Sequence, residues 1–184
     1  RRHLPNVSLS SLLHDESPGL LECVLWQNTA MSTPYLALLR GINVGGKHRL
    51  PMKSLCEFFT AAGANRPRHY IQSGNVVFTA TVQSVNRIAA SVQDSIRNQF
   101  HFNTPIVIRS SNELVEIIAH NPFVAMGADE SKLHVAFLQD RPSPTLVKKL
   151  DGTRSPPDEF ELRGRDIYLH CPNGMGRSKL TTQY

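Results

Sequence analysis

The order of strand-like and helix-like segments in residues 35–109 constrains the fold of this chain more than any other feature. Apolar residues run at strand spacing in four segments and recur at helical spacing in two, most clearly in the stripe Val85, Ile88, Val92, Ile96 and Phe100. The predicted elements are a strand at 35–40, a helix at 52–62, strands at 68–72 and 75–79, a helix at 82–101 and a strand at 104–109. This β-α-β-β-α-β order predicts a ferredoxin-like split βαβ unit.

The same order begins again in the second half of the chain. Strands are predicted at 133–138, 159–163 and 166–171, with a short helix at 144–150 and a hairpin turn at Gly164. A full repeat would add a helix from about Ser178 and one more strand, so we expect a C-terminally incomplete unit in which the edge of strand 133–138 is open.

These patterns predict an α/β (α+β) protein of two ferredoxin-like units. The first unit is predicted at 31–110 and the second at 133–184. Residues 111–132 form a link, whose helix should start at a capping box made by Ser110 and Glu113. Residues 1–30 lack sustained periodicity, which predicts a poorly ordered N-terminal extension.

Positive charge is concentrated in the first predicted unit. Residues 31–110 hold nine Lys or Arg against two acidic residues, a net charge of +7, whereas nine basic residues meet ten acidic ones from Ser111 onward. Concentrated charge of this kind favours an anionic partner, although solvated basic residues also serve solubility. Three cysteines without paired or metal-type spacing favour a cytoplasmic location. No apolar run approaches the roughly 20 residues of a membrane helix, so we expect no membrane partner.

A glycine-rich basic loop, residues 40–50, follows the first predicted strand. Its glycines allow backbone N–H groups to face an anion and its cations supply charge, so the predicted ligand-binding residues are Arg40, Gly41, Asn43, Gly45, Gly46, Lys47 and Arg49. A tight connection with solvated cations is the alternative. The segment also matches the P-loop pattern G-x-x-x-x-G-K, but His48 stands where Mg²⁺ requires Ser or Thr, and the element order does not predict a parallel sheet. Nucleotide hydrolysis is therefore disfavoured.

A second glycine-rich segment, residues 174–179, also combines glycines with two cations, at the predicted start of a helix. An anion there would explain two cations beside a helix N-terminus, although Ser178 can also act as a simple cap. The predicted ligand-binding residues are Arg177, Ser178 and Lys179, and the hairpin at 72–75 adds Gln72, Ser73 and Asn75. We hypothesise that both glycine segments border one anionic ligand. Turn formation accounts for Ser73 and Asn75 equally well.

Four segments taken together resemble the bacterial family called domain of unknown function 1697. They are Leu-Leu-Arg-Gly-Ile-Asn-Val-Gly-Gly-Lys at 38–47, Pro-Met at 51–52, Tyr-Ile-Gln-Ser-Gly-Asn-Val-Val-Phe at 70–78 and Gly-Arg-Ser-Lys-Leu at 176–180. The resemblance runs from Tyr35 to Thr181. It implies two ferredoxin-like units but no activity, substrate or catalytic residue, and the chain departs from the family by its first thirty residues and by lacking the closing helix and strand.

The function predicted from these residues is binding of a phosphate-bearing ligand or a nucleic-acid backbone. The alternatives are a small enzyme acting on a phosphorylated metabolite and a protein interaction module without catalysis. No nucleophile or general base can be named, and neither a cofactor nor a metal site is predicted. The expected partner is an anionic small molecule or nucleic-acid backbone, and the expected state is a monomer or weak homo-oligomer.

Overall fold

The computed structural model of the chain describes residues 6–8, 32–45, 48–70 and 74–180. In this part of the chain the strands are β1 Asn6–Ser8, β2 Thr33–Leu39, β3 Asn65–Tyr70, β4 Asn75–Ala80, β5 Ile106–Ser110, β6 Leu133–Phe137, β7 Glu159–Arg163 and β8 Asp166–His170. The α-helices are α1 Met52–Ala61, α2 Val85–Phe100, α3 Ser111–Ala119, α4 Pro122–Ala125 and α5 Pro144–Val147. The protein is therefore an α+β protein, and its strands form two antiparallel sheets.

The chain divides into two compact units. Ser17–Leu114 form the first unit, and Arg1–Glu16 together with Val115–Tyr184 form the second unit. The second unit therefore draws on two stretches of chain that lie on either side of the first in the sequence.

The first unit contains the sheet with strand order β3-β4-β2-β5. The element order predicted for residues 35–109 is the observed one, with boundaries shifted by a few residues. Apolar side chains of α1 and α2 pack with one face of the sheet, and Leu55, Phe59, Ile88, Phe78 and Ala37 in this core are fully buried. The capping box is confirmed, because Ser110 N–H donates to Glu113 Oε2 at 2.8 Å and Glu113 N–H donates to Ser110 Oγ at 3.2 Å.

The second unit contains the sheet with strand order β1-β6-β8-β7. The predicted strands and the hairpin at Gly164, which has φ +63°, are observed. The predicted open edge is wrong, because β1 pairs antiparallel with β6 through Asn6–Ala136, Val7–Val135 and Ser8–His134. Strand β1 thus lies beside β6, where a full repeat of the first unit would have a C-terminal strand.

The helix predicted from Ser178 is also wrong in the part of the chain that the structure describes. Met175–Arg177 form a single 3-10 turn, and Ser178 returns to extended backbone with ψ 141°. After β8, the second unit therefore no longer has the same order of elements as the first unit in the described residues.

Candidate functional site

The glycine loop, residues 40–50, lies at the end of the first sheet where β2 stops. Leu39 N–H donates to the carbonyl of Gly74 at 3.0 Å, which ties the end of β2 to the hairpin between β3 and β4. Arg40 N–H donates to Thr104 Oγ1 at 3.2 Å, and that hydroxyl donates back to the Arg40 carbonyl at 2.7 Å. Three separate stretches of chain therefore meet at the start of the loop.

Gly74 allows the hairpin to approach the glycine loop closely. Its φ is +86°, and a Cβ at this position would lie 2.6 Å from Ile42 Cδ1 and 3.0 Å from Leu39 Cβ. Ile42 is itself almost fully buried. Both the backbone conformation and the packing of Ile42 therefore require glycine here.

Asn43 closes the glycine loop with its side chain. Its Nδ2 donates to the Leu50 carbonyl at 3.0 Å and its Oδ1 accepts from Leu50 N–H at 2.8 Å, so the amide pairs with a backbone unit as a neighbouring strand would. Asn43 N–H also donates to the His48 carbonyl at 3.1 Å. The Asn43 side chain, which was predicted to bind ligand, uses both its amide oxygen and its amide nitrogen within the loop.

Three residues of the glycine loop have positive φ. Gly41, Asn43 and Gly45 have φ of +70°, +55° and +59°, and positive φ does not occur at the two residues between them. Glycine reaches this region freely and is the usual residue where a backbone turns tightly or approaches a ligand closely. Asparagine is among the residues that tolerate this region best after glycine.

His48 stabilises the glycine loop through its ring, and the surrounding elements differ from those of a P-loop. Its Nδ1 lies 3.1 Å from the Gly41 carbonyl and its ring stacks on Phe102 with centroids 4.6 Å apart. The sheet behind the loop is antiparallel and α1 begins only at Met52, so neither the sheet nor the helix of a nucleotide-hydrolysing P-loop is present.

The other predicted residues of this region are placed as follows. Arg49 is exposed, Arg40 is half-buried, and Asn75 begins β4 in register with Leu38 and Tyr70. Gly46, Lys47, Gln72 and Ser73 lie outside the described residues. The structure therefore brings Arg40, Gly41, Asn43, Gly45 and Arg49 together in one closed loop.

The second glycine-rich segment is held by a buried polar pair that the sequence analysis missed. Ser155 Oγ donates to Asp158 Oδ2 at 2.6 Å, and both residues are buried. The same hydroxyl accepts Lys179 N–H at 2.9 Å. The signal was available in the sequence, since two polar residues flank Pro156-Pro157 at a spacing typical of turns.

The Ser178 side chain forms a hydrogen bond at the end of this segment. Its hydroxyl accepts Leu180 N–H at 3.0 Å, which is a serine turn rather than a helix cap. Burial, with the negative charge of Asp158, raises the pKa of the Cys171 thiol, while a hydrogen bond with Ser178 opposes the rise. Cys171 is therefore a protonated core residue at neutral pH. Arg177 and Lys179 are exposed, but no helix N-terminus stands behind them in the described residues.

Nucleic-acid bases can also bind by stacking on aromatic residues of an exposed sheet face, and burial disfavours this mode for the first sheet. The face of the first sheet opposite α1 and α2 is buried at Leu36, Leu38 and Val77, so it offers no platform for base stacking. Tyr35 is buried on the helix-covered side, stacked on Phe78 with ring centroids 5.7 Å apart.

One of the nine cations of the first predicted unit is not on the surface. Arg109 is fully buried and donates to the Ile108 carbonyl at 3.0 Å.

Two of the cations in the first unit lie on the edge strand β3, where positive charge has a structural role. Arg66 and Arg68 are exposed on this strand, Pro67 lies between them, and the pairing with β4 is shifted between Asn65 and Arg68. Charges, proline and a bulge are the usual means of keeping an edge strand from pairing with another chain.

Among the described residues, no three His, Cys, Asp or Glu side chains cluster as a metal site would require. In the same part of the chain, no helix combines the length and apolarity needed to cross a membrane.

Fold and loop together define an α+β protein with two antiparallel sheets, the first of which ends in a closed, glycine-rich basic loop. The chain belongs to the family described as "Protein of unknown function (DUF1697)", whose model matches residues 31–168. The match ends before the second glycine-rich segment.

A solved structure supports the fold. The conserved bacterial protein SP0830 from Streptococcus pneumoniae is similar with a TM-score of 0.62 and 22% sequence identity, over 76% of this chain and 77% of that one. At this identity the likeness concerns the fold alone. No curated protein matches the chain.

Proposed function

We propose that this protein binds the phosphate group of a small molecule or a nucleic-acid backbone at its glycine loop, and that both of its units are ferredoxin-like. The strand order β3-β4-β2-β5 with two helices on one face supports the second statement for the first unit. In the second unit β6, β8 and β7 stand in the same order, with β1 in the fourth place.

The observation that carries the binding proposal is the closed, positive-φ backbone of Gly41, Asn43 and Gly45. The two glycines adopt this conformation without strain, whereas Asn43 is a non-glycine residue at φ +55°, and such conformations concentrate at functional sites. Here the Asn43 amide and the Gly74 contact hold the loop, so its backbone is ordered before a ligand arrives. Preorganisation of this kind improves affinity by reducing the ordering cost of binding.

The cations of the glycine loop supply the positive charge that attracts an anion. Arg49 is exposed at the far side of the loop and Arg40 begins it, while the sequence places Lys47 between them. Guanidinium groups pair with phosphate oxygens through two parallel hydrogen bonds. We assign direct phosphate contacts to Arg40, Lys47 and Arg49, and loop closure to Asn43.

The second glycine-rich segment lies in the second unit. We propose that Arg177 and Lys179 bind an anion there through charge alone, since the 3-10 turn provides no helix dipole for this segment.

A thermal-shift screen of nucleotides, phosphosugars, tRNA and short single strands at two salt concentrations tests the proposal. A ligand that binds only the folded protein raises its melting temperature, and Lys47→Ala or Arg49→Ala should abolish the rise. Arg87→Ala is the matched control, because this exposed arginine on α2 follows the opposite end of β4. A shift that disappears with salt indicates a nucleic-acid backbone, and a salt-tolerant shift indicates a small molecule.

Arg177→Ala tests the second segment in the same screen. If this arginine binds the ligand, the variant shows a smaller rise in melting temperature than Arg87→Ala does, and an unchanged rise refutes its contribution. Equal responses of wild-type protein, Lys47→Ala, Arg49→Ala and Arg87→Ala to every phosphate compound would refute binding at the glycine loop.

A further inference from the structure

The outer edge of β6 is an unusual position in this molecule, because the strand that fills it is remote in the sequence. In the first sheet the corresponding place beside β2 belongs to β5, which pairs at five positions from Tyr35–Ser110 to Leu39–Ile106. Beside β6 the strand β1 pairs at only three positions. The edge of β6 is thus closed by a short strand with few main-chain contacts.

The chain between β1 and β2 is long enough to let β1 reach another molecule. Residues 9–32 separate Ser8 from Thr33, and an extended chain of that length spans up to about 80 Å at roughly 3.3 Å per residue. Exchange of an identical element between two copies requires a connection of this sort, and it forms new pairs identical to those it breaks.

Strand β6 has the features of a site that accepts a strand. Leu133, Val135 and Phe137 are fully buried on one side of it, so its register is fixed by packing within the second unit. On the other side, the Nε2 atom of His134 is buried without a hydrogen-bond partner among the described residues. The backbone position in register with His134 belongs to Ser8.

We propose that the edge of β6 is a strand-addition site through which two copies of this chain exchange their N-terminal strands. The only segment that the structure seats on this edge, within the described residues, is Asn6–Ser8, and a second copy carries the same segment. Mutual exchange uses the same surface on both copies and closes a two-fold dimer. At low concentration β1 closes its own sheet, and at high concentration it closes the sheet of a partner copy, since the two arrangements compete by effective concentration.

Disulfide trapping across the β1–β6 pair tests the proposal. In full-length chains carrying Cys23→Ser and Cys56→Ser, one copy receives Val7→Cys and a second, tagged copy receives Val135→Cys. Directly opposed residues of antiparallel strands lie within the Cα separation of a disulfide. Upon oxidation of the mixture we expect a covalent heterodimer whose yield rises with protein concentration.

The control partner carries Ala136→Cys instead of Val135→Cys. It places the thiol one residue along the same strand, on the opposite face of the sheet, so its yield of heterodimer should be at least tenfold lower. Asn6→Pro and Ser8→Pro, added to the chain with Val7→Cys, should abolish trapping, because proline has no N–H group to donate to β6.

One chain carrying both Val7→Cys and Val135→Cys completes the test. We expect it to form the disulfide within the chain in dilute solution. If this chain closes but the mixture gives no heterodimer at any concentration, exchange between copies is refuted. If the mixture gives equal yields with Val135→Cys and Ala136→Cys, the trapped species is collisional and the proposal is also refuted.

Discussion

Replacing Asn43 with alanine tests whether one side chain holds the glycine loop closed. The substitution removes two hydrogen bonds to the backbone of the buried residue Leu50, at 3.0 and 2.8 Å. At about 0.5–1.5 kcal/mol each, their loss costs ~1–3 kcal/mol. Alanine also tolerates φ +55° less well than asparagine does, which adds about 1 kcal/mol to the loss. Together these effects predict a decrease of about 2–4 kcal/mol in the free energy of unfolding.

Asn43→Gly separates the two causes. Glycine accepts the positive φ but makes neither hydrogen bond, so this variant should be more stable than Asn43→Ala by about 1 kcal/mol. Urea denaturation of both variants and the wild type, with the slope compared to confirm two-state unfolding, supplies the measurement. The reasoning fails if Asn43→Ala lies within 0.5 kcal/mol of wild type, or if Asn43→Gly is no more stable than Asn43→Ala.

Three further changes have expected outcomes. Gly74→Ala should lower the free energy of unfolding by about 1–3 kcal/mol, since its Cβ would meet Ile42 at 2.6 Å, and an unchanged melting temperature would contradict the packing. Ser155→Ala should cost about 1.5–3 kcal/mol in denaturant titration, because buried Asp158 loses its 2.6 Å donor; Ser155→Thr, which keeps a hydroxyl, should recover part of the loss. Burial lowers the pKa of His134 below 6.5, so the unfolded chain binds this proton more readily and stability should fall as pH drops below about 6.5. The difference in stability between wild type and His134→Gln should therefore change between pH 7.5 and 5, and a constant difference would contradict the shift.

Periodic patterns predicted the elements of the first unit because those patterns are local. The stripe of α2 and the capping box at Ser110 each depend on residues within a few turns of one another, and both are observed. The glycine loop was found for the same reason, since its composition is visible in eleven consecutive residues. Its closure was not predicted, because a side-chain amide that pairs with a backbone unit seven residues away leaves no periodic trace.

The errors arose where a repeat was extended beyond its local support. Ser178 has a helix-capping residue type, but the Ser155 hydroxyl holds Lys179 N–H in the following extended chain. Strand β1 has only three residues, too few to show an alternation of apolar and polar positions. Its pairing with β6 is a long-range contact that no window of sequence contains.

The position of β1 also sets an order for folding. Its partner in β6 lies about 130 positions away, so this pair has a far greater sequence separation than the hairpin of β7 and β8, and contacts of such separation form slowly. During synthesis β1 leaves the ribosome before the whole first unit and β6 follows after it, so the first unit can fold while β1 waits unpaired. During that interval β1 remains available to other molecules, because the sheet with which it pairs does not yet exist.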